Sequence, residues 1–213
     1  MASSLVYAVA AGSVVAGPLV LVAAERAVGT PLVISPRARL AAAVSMSAIT
    51  AALSWVASLR LGESPAWLAW CWACALGCGL TLTDLRCRRL PFLLVAALCG
   101  GDAVIFLAAA LVDGNWSRLG FACIAALLVL TSAIAVQMLA PEHTGGGDSA
   151  LYGALALLLG WFGWDGLLRG LLIAGGLTAL VGVAVAVWSR RMKSSFPAGP
   201  SLLVGALASV LVT

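Results

Sequence analysis

Two aspartates carry the most chemistry in this chain. Asp84 stands at the end of an apolar run in Thr83-Asp84-Leu85-Arg86, and Asp148 closes Gly145-Gly146-Gly147-Asp148 and opens another apolar run. The chain has only 8 Asp and Glu among 213 residues. A carboxylate beside a bilayer core is costly, and its first reading is functional. Two neighbouring carboxyls cannot both ionise cheaply, so one keeps a proton while the other acts as a base. Such a pair activates a water for attack on a peptide carbonyl, and the protonated member supports the developing oxyanion. Gly145, Gly146 and Gly147 leave the backbone beside Asp148 free to approach a substrate strand closely. The bland alternatives are that Asp148 N-caps the following helix and that Asp84 pairs with Arg86 or Arg88.

The elements that must position these residues are membrane spans. The chain is 63% hydrophobic and 9% charged, with a mean hydropathy of +1.11. A soluble protein needs far more polar surface than this composition supplies. The expected fold is therefore all-α, a polytopic transmembrane bundle of about eight helices forming one domain over residues 1–213. Apolar runs place the helices near 4–24, 39–60, 66–84, 92–112, 118–140, 148–164, 166–189 and 199–213, close to the length a bilayer requires. The stretch from Leu5 to about Ala24 is long enough to span and lacks the basic lead of a cleavable signal peptide.

The net charge of +4 does not point to nucleic acid, because the basic residues fall in short loops between spans. Arg26, Arg37, Arg39, Arg86, Arg88, Arg89, Arg190, Arg191 and Lys193 follow the first, third and seventh spans, leaving Arg60, Arg118 and Arg169 for the other side. The richer side is cytoplasmic by the positive-inside rule. Asp84 and Asp148 then come out at one membrane face, from a count that used neither.

The ordered motifs resemble the type IV prepilin peptidases, membrane aspartic proteases of the GxGD class. The first motif is Asp84-Leu85-Arg86-Cys87-Arg88-Arg89-Leu90-Pro91, an Asp followed seven residues later by Pro. The second is Gly145-Gly146-Gly147-Asp148 with an apolar helix from Leu151 to Gly160. The third is Phe196-Pro197-Ala198-Gly199-Pro200, which resembles the family's turn into its last helix. The three occur in family order across residues 66–213. The resemblance implies catalytic Asp84 and Asp148, supported by Gly145, Gly146, Gly147 and Pro91, with no metal and no cofactor. It also implies a prepilin-like substrate, processed for a type IV pilus or for protein secretion, and a multi-pass location in the cytoplasmic (inner) membrane.

The chain departs from the family where Phe92 replaces the usual Asn or Asp and Ala150 replaces the usual Lys. The short segment from Glu25 to Arg39 stands where larger members carry paired CxxC zinc ligands, so the resemblance does not extend to their methyl-transfer activity and leaves it open. Presenilin-like proteases fit less well, since Thr83 rather than Tyr precedes Asp84 and Gly199 follows Pro197-Ala198.

Several other residues invite a role. Asp102, in Cys99-Gly100-Gly101-Asp102, falls mid-span, where an acid must face the bundle or a wet cavity. It reads as a packed structural carboxyl, with a third site member or a relay group as the alternative. Cys71, Cys74 and Cys78 share a helical face that suits small-residue packing better than a metal. Cys71, Cys74, Cys78, Cys99 and Cys123 sit in apolar runs and form no disulfide framework; Cys87 is the thiol expected to meet water. His143, in Pro141-Glu142-His143-Thr144, reads as solvated, with tuning of the site as the alternative. Trp161 and Trp164 are expected at the interface.

The expected function is an aspartic endopeptidase that removes the leader of prepilin-like proteins at the cytoplasmic face. The alternatives are a proton-coupled transporter or channel using Asp84, Asp102 and Asp148, and a non-catalytic family member. The count of basic residues makes residues 25–38, 85–91, 141–147 and 190–198 cytoplasmic and both termini external. Cysteine labelling in intact cells, on a Cys-free background, checks this. A cysteine in 190–198 should stay unlabelled by an impermeant external reagent, and its labelling would invert the topology.

Overall fold

The computed structural model describes residues 3–62, 64–139, 145–189 and 199–211. It is all-helical, with α1 (Ser3–Val28), α2 (Pro36–Leu61), α3 (Pro65–Cys87), α4 (Phe92–Asp113), α5 (Trp116–Leu139), α6 (Gly146–Gly160), α7 (Gly163–Ser189) and α8 (Gly199–Leu211). The order and placement follow the apolar runs. Five of these helices, α2, α3, α4, α5 and α7, are long and apolar enough to cross a membrane. Arg190, Arg191, Lys193 and His143 lie outside the described residues, as does the Phe196-Pro197-Ala198 part of the third motif.

Local chemistry sets the helix ends. Ser35 and Ser64 cap α2 and α3, their hydroxyls accepting from the Ala38 and Trp67 N–H groups at 3.4 and 3.2 Å. Pro36 and Pro65 follow in the first turn, where a missing N–H costs nothing. At the far end of α3 the chain turns through Arg88 in the left-handed region, with φ 50° and ψ 40°. Arg88 is the only described non-glycine residue with positive φ. A Cβ is disfavoured there, so the turn of the first motif is held by its surroundings.

Antiparallel packing joins α1 to α2, α3 to α4, α5 to α6 and α7 to α8. Helix α3 also touches α1, α2, α6 and α8, and it is the most buried of the five spans. Its tryptophans tie it to three neighbours. The indole N–H of Trp67 donates to the Ser54 carbonyl of α2 (3.0 Å), that of Trp70 to Leu207 of α8 (3.3 Å) and that of Trp72 to Ala97 of α4 (3.1 Å). Such bonds satisfy a donor that lipid cannot.

Helix α6 is the second central element, buried almost continuously from Leu151 to Gly160. Gly160 lets it press on α5, because a Cβ there would lie 2.9 Å from the Ala122 Cα and the Ala125 Cβ. Trp161 departs from its interfacial expectation. It is 3% exposed and stacks on Phe106 of α4, with centroids 4.3 Å apart and planes at 5°. Trp164 is exposed and meets Phe121 edge-on. Cys87 is half-buried against the core, and the exposed thiol is Cys123 on α5. The α5–α6 contact generates a direct expectation. Gly160→Leu should destabilise the purified protein by about 1–3 kcal/mol through overpacking, read as a lower unfolding midpoint in detergent; an unchanged midpoint would contradict the packing.

Candidate functional site

Three helix ends meet at one end of the bundle: the last turn of α3, the start of α6 and the start of α8. Asp84 sits in that last turn, 6% exposed, and its backbone carbonyl accepts from the Arg88 N–H at 2.8 Å. Its Oδ2 accepts the Gly199 N–H at 2.9 Å, joining residues 115 apart. A helix start has N–H groups without partners in their own helix, and a carboxylate is a strong acceptor for one. Among the described residues Asp84 makes no ion pair with Arg86 or Arg88, so the arginine-paired alternative is not what the structure adopts.

Asp148 is more open and lies at the third position of α6, with Gly145 as the N-cap. Its Oδ2 accepts the Gly145 N–H at 3.4 Å, the carboxylate half of a capping box. The bland alternative is thus realised in modified form, with Asp148 capping from inside the first turn and using one oxygen. The same carboxylate favours the positive end of the helix dipole.

Leu90 brings the two aspartates together. A Cβ on Gly147 would fall 2.8 Å from both the Cβ and the carbonyl oxygen of Leu90. On Gly199 a Cβ would fall 2.9 Å from Asp84 Oδ2 and 3.2 Å from Leu90 Cδ2. Only glycine lets α6 and α8 close on the α3–α4 turn from two sides. Asp148 consequently lies within electrostatic reach of Asp84. Pro91 is the N-cap of α4 just beyond Leu90, its carbonyl accepting from Leu94 and Val95 at 3.0 and 3.3 Å. Of the remaining motif glycines, Gly145 supplies the N–H on Asp148. Gly146 faces Gln137, whose Nε2 would lie 3.7 Å from an added Cβ.

The structure adds residues that sequence reasoning did not single out. Ser149 donates to Gln137 Oε1 at 2.9 Å, tying the end of α5 to the GxGD turn. Tyr152, one turn along α6, lies within reach of the Asp148 charge; its i+4 spacing from Asp148 was the available signal. Gly199 was read as part of a turn motif rather than as the partner of Asp84. Phe92 is 72% exposed at the start of α4, and Ala150 packs partly against the core. No described group of His, Cys, Asp and Glu has the makings of a metal site.

Asp102 does not join the pair. It lies ten residues into α4, about 15 Å along the helix from its start, and is 0% exposed. Both carboxyl oxygens lack a hydrogen-bond partner among the described residues. The packed reading holds, without the hydrogen bonds that could have accompanied it.

Comparison with protein-family models, curated proteins and solved structures gives no match to this chain.

The Asp84–Gly199 bond predicts unequal effects of two substitutions. Asp84→Asn keeps an acceptor oxygen for the Gly199 N–H and should leave stability nearly unchanged. Asp84→Ala strands that buried N–H and should cost about 1–3 kcal/mol. Unfolding curves in detergent distinguish them, and equal losses would show that the bond does not hold α8.

Proposed function

We propose that the protein is a membrane-embedded aspartic endopeptidase that removes the leader of prepilin-like proteins at the cytoplasmic face. The observation that carries the reading is the convergence of Asp84 and Asp148 where α3, α6 and α8 meet. Asp148 is near enough to act electrostatically on Asp84, which supports reading the two as a coupled pair. The more open carboxyl, Asp148, takes the role of base toward a water. Asp84, anchored through Oδ2 by Gly199, carries the shared proton on its other oxygen and donates it to the substrate carbonyl. Water attacks the carbonyl carbon and gives a proton to Asp148 while the carbonyl oxygen takes the proton of Asp84. Asp148 then protonates the leaving nitrogen, the C–N bond breaks, and a hydroxyl of the tetrahedral intermediate returns its proton to Asp84 as the acid product forms.

The site's level suits the substrate class. An apolar substrate helix anchored in the bilayer would bring its leader junction to the membrane face. The arginines of the first motif serve topology and contact with anionic lipid, since they repel a basic leader. The chemistry needs no metal, because the carboxyl pair activates water by itself.

Cleavage of a prepilin peptide by the purified protein tests the reading. Asp84→Asn and Asp148→Asn should each cut the rate at least about 100-fold, the scale of a lost acid–base group, with the protein still folded and inserted. Asp102→Asn should retain most activity. Full cleavage by Asp148→Asn would defeat the protease reading. Strong chelators should leave the rate unchanged, and loss of activity restored by zinc would replace the carboxyl-pair mechanism with a metal one.

A further inference from the structure

The chain holds a single glutamine, Gln137, in the last turn of α5. Its neighbours Val136, Met138 and Leu139 are exposed apolar side chains, whereas Gln137 is half-buried and meets the start of α6. There it brackets Asp148 in the chain. Its Oε1 accepts the hydroxyl of Ser149, a buried residue, at 2.9 Å. Its Nε2 lies over Gly146, 3.7 Å from where a Cβ on that glycine would stand, and it is the only described group of another helix within 4 Å of that point.

The two ends of this amide have different tasks. The oxygen is committed to Ser149, and that bond sets the direction of the nitrogen. The nitrogen donates to no described group, and it is not one of the buried polar atoms. It is a donor fixed in place and open to a ligand, beside the helix turn that carries Asp148. Gly146 keeps it open, since a side chain there would stand in front of it. A side-chain amide nitrogen only donates, so its partner must be an acceptor. A peptide drawn out across the carboxyl pair has main-chain carbonyls outside secondary structure, and each requires a donor. The amide is neutral, so it can take such a carbonyl without repelling a basic leader.

We propose that Gln137 is a substrate-binding residue, its Nε2–H group donating to a main-chain carbonyl of the extended substrate beside the scissile bond. The assignment rests on the protease reading and adds to it a contact that recognises backbone rather than side-chain identity. Ser149 serves the contact by holding the amide oxygen, and its hydroxyl has a second acceptor in the Ala133 carbonyl at 3.5 Å. Gln137→Met, similar in length and without an N–H, therefore removes the donor while Ser149 keeps a partner.

Steady-state cleavage of a prepilin peptide by the full chain in detergent tests the assignment. Gln137→Met should raise KM about five- to ten-fold, the scale of one neutral hydrogen bond, with kcat unchanged. Gly146→Ala should do the same by covering Nε2, and it stands as the test if Gln137→Met fails to fold. Substrates with a thioamide in place of one carbonyl flanking the scissile bond locate the contact, because sulfur is the weaker acceptor. At one position the thioamide should raise KM for the wild type, and the same change should cost the folded variant nothing further. A wild type indifferent at every flanking position would overturn the proposal, as would a thioamide penalty undiminished in the variants. A fall in kcat at unchanged KM would overturn it too, making Gln137 a positioning residue for Asp148. Each of these outcomes leaves the protease reading standing. Failure of the wild type to cleave at all would defeat that reading, and this assignment with it.

Discussion

The site depends on one hydrogen bond, from the Gly199 N–H to Asp84 Oδ2 at 2.9 Å. It places a carboxylate at the end of one central helix against the unpaired donors at the start of another. Without it, α8 would begin with an unsatisfied buried N–H and Asp84 would lose its anchor. The bond forms only because Gly199 has no Cβ to collide with the oxygen it serves. Leu90 fills the space beside it and receives Gly147 on its other side, so one leucine and two glycines set how closely Asp148 approaches Asp84. The left-handed turn at Arg88 carries the chain from Asp84 to that leucine.

The bundle divides its helices between this core and the lipid. Helices α3 and α6, which carry the two aspartates, are well enclosed, as is α8. The spans of α5 and α7 are largely uncovered by protein. Side chains on an inner helix are held by packing on several sides, and such support keeps catalytic geometry fixed. The tryptophans of α3 contribute by bonding to carbonyls of α2, α4 and α8, which fixes its rotation and hence the direction of Asp84.

The helices were legible in the sequence because span length is local and the apolar runs supply it. Their ends were less so: the Ser35-Pro36 start went unread, and the second span was placed from 39 where α2 begins at Pro36. The shared face of Asp84 and Asp148 was legible because basic residues report sidedness without any knowledge of packing. Rotation was not legible. A helix apolar on all sides carries no stripe to separate a lipid-facing side from a protein-facing one. Trp161 accordingly read as interfacial although it stacks in the core on Phe106. For the same reason Asp84 could not be matched to Gly199, nor Ser149 to Gln137, since these pairs depend on how each helix is turned.

The central claim is that Asp84 and Asp148 act as one unit. The most direct test is a double-mutant cycle on kcat/KM for prepilin peptide cleavage, using Asp84→Asn, Asp148→Asn and the double variant. Groups that share one proton and one water fail together, so the double variant should be no slower than the slower single variant. Losses that multiply in the double variant would show two independent contributions and contradict the account.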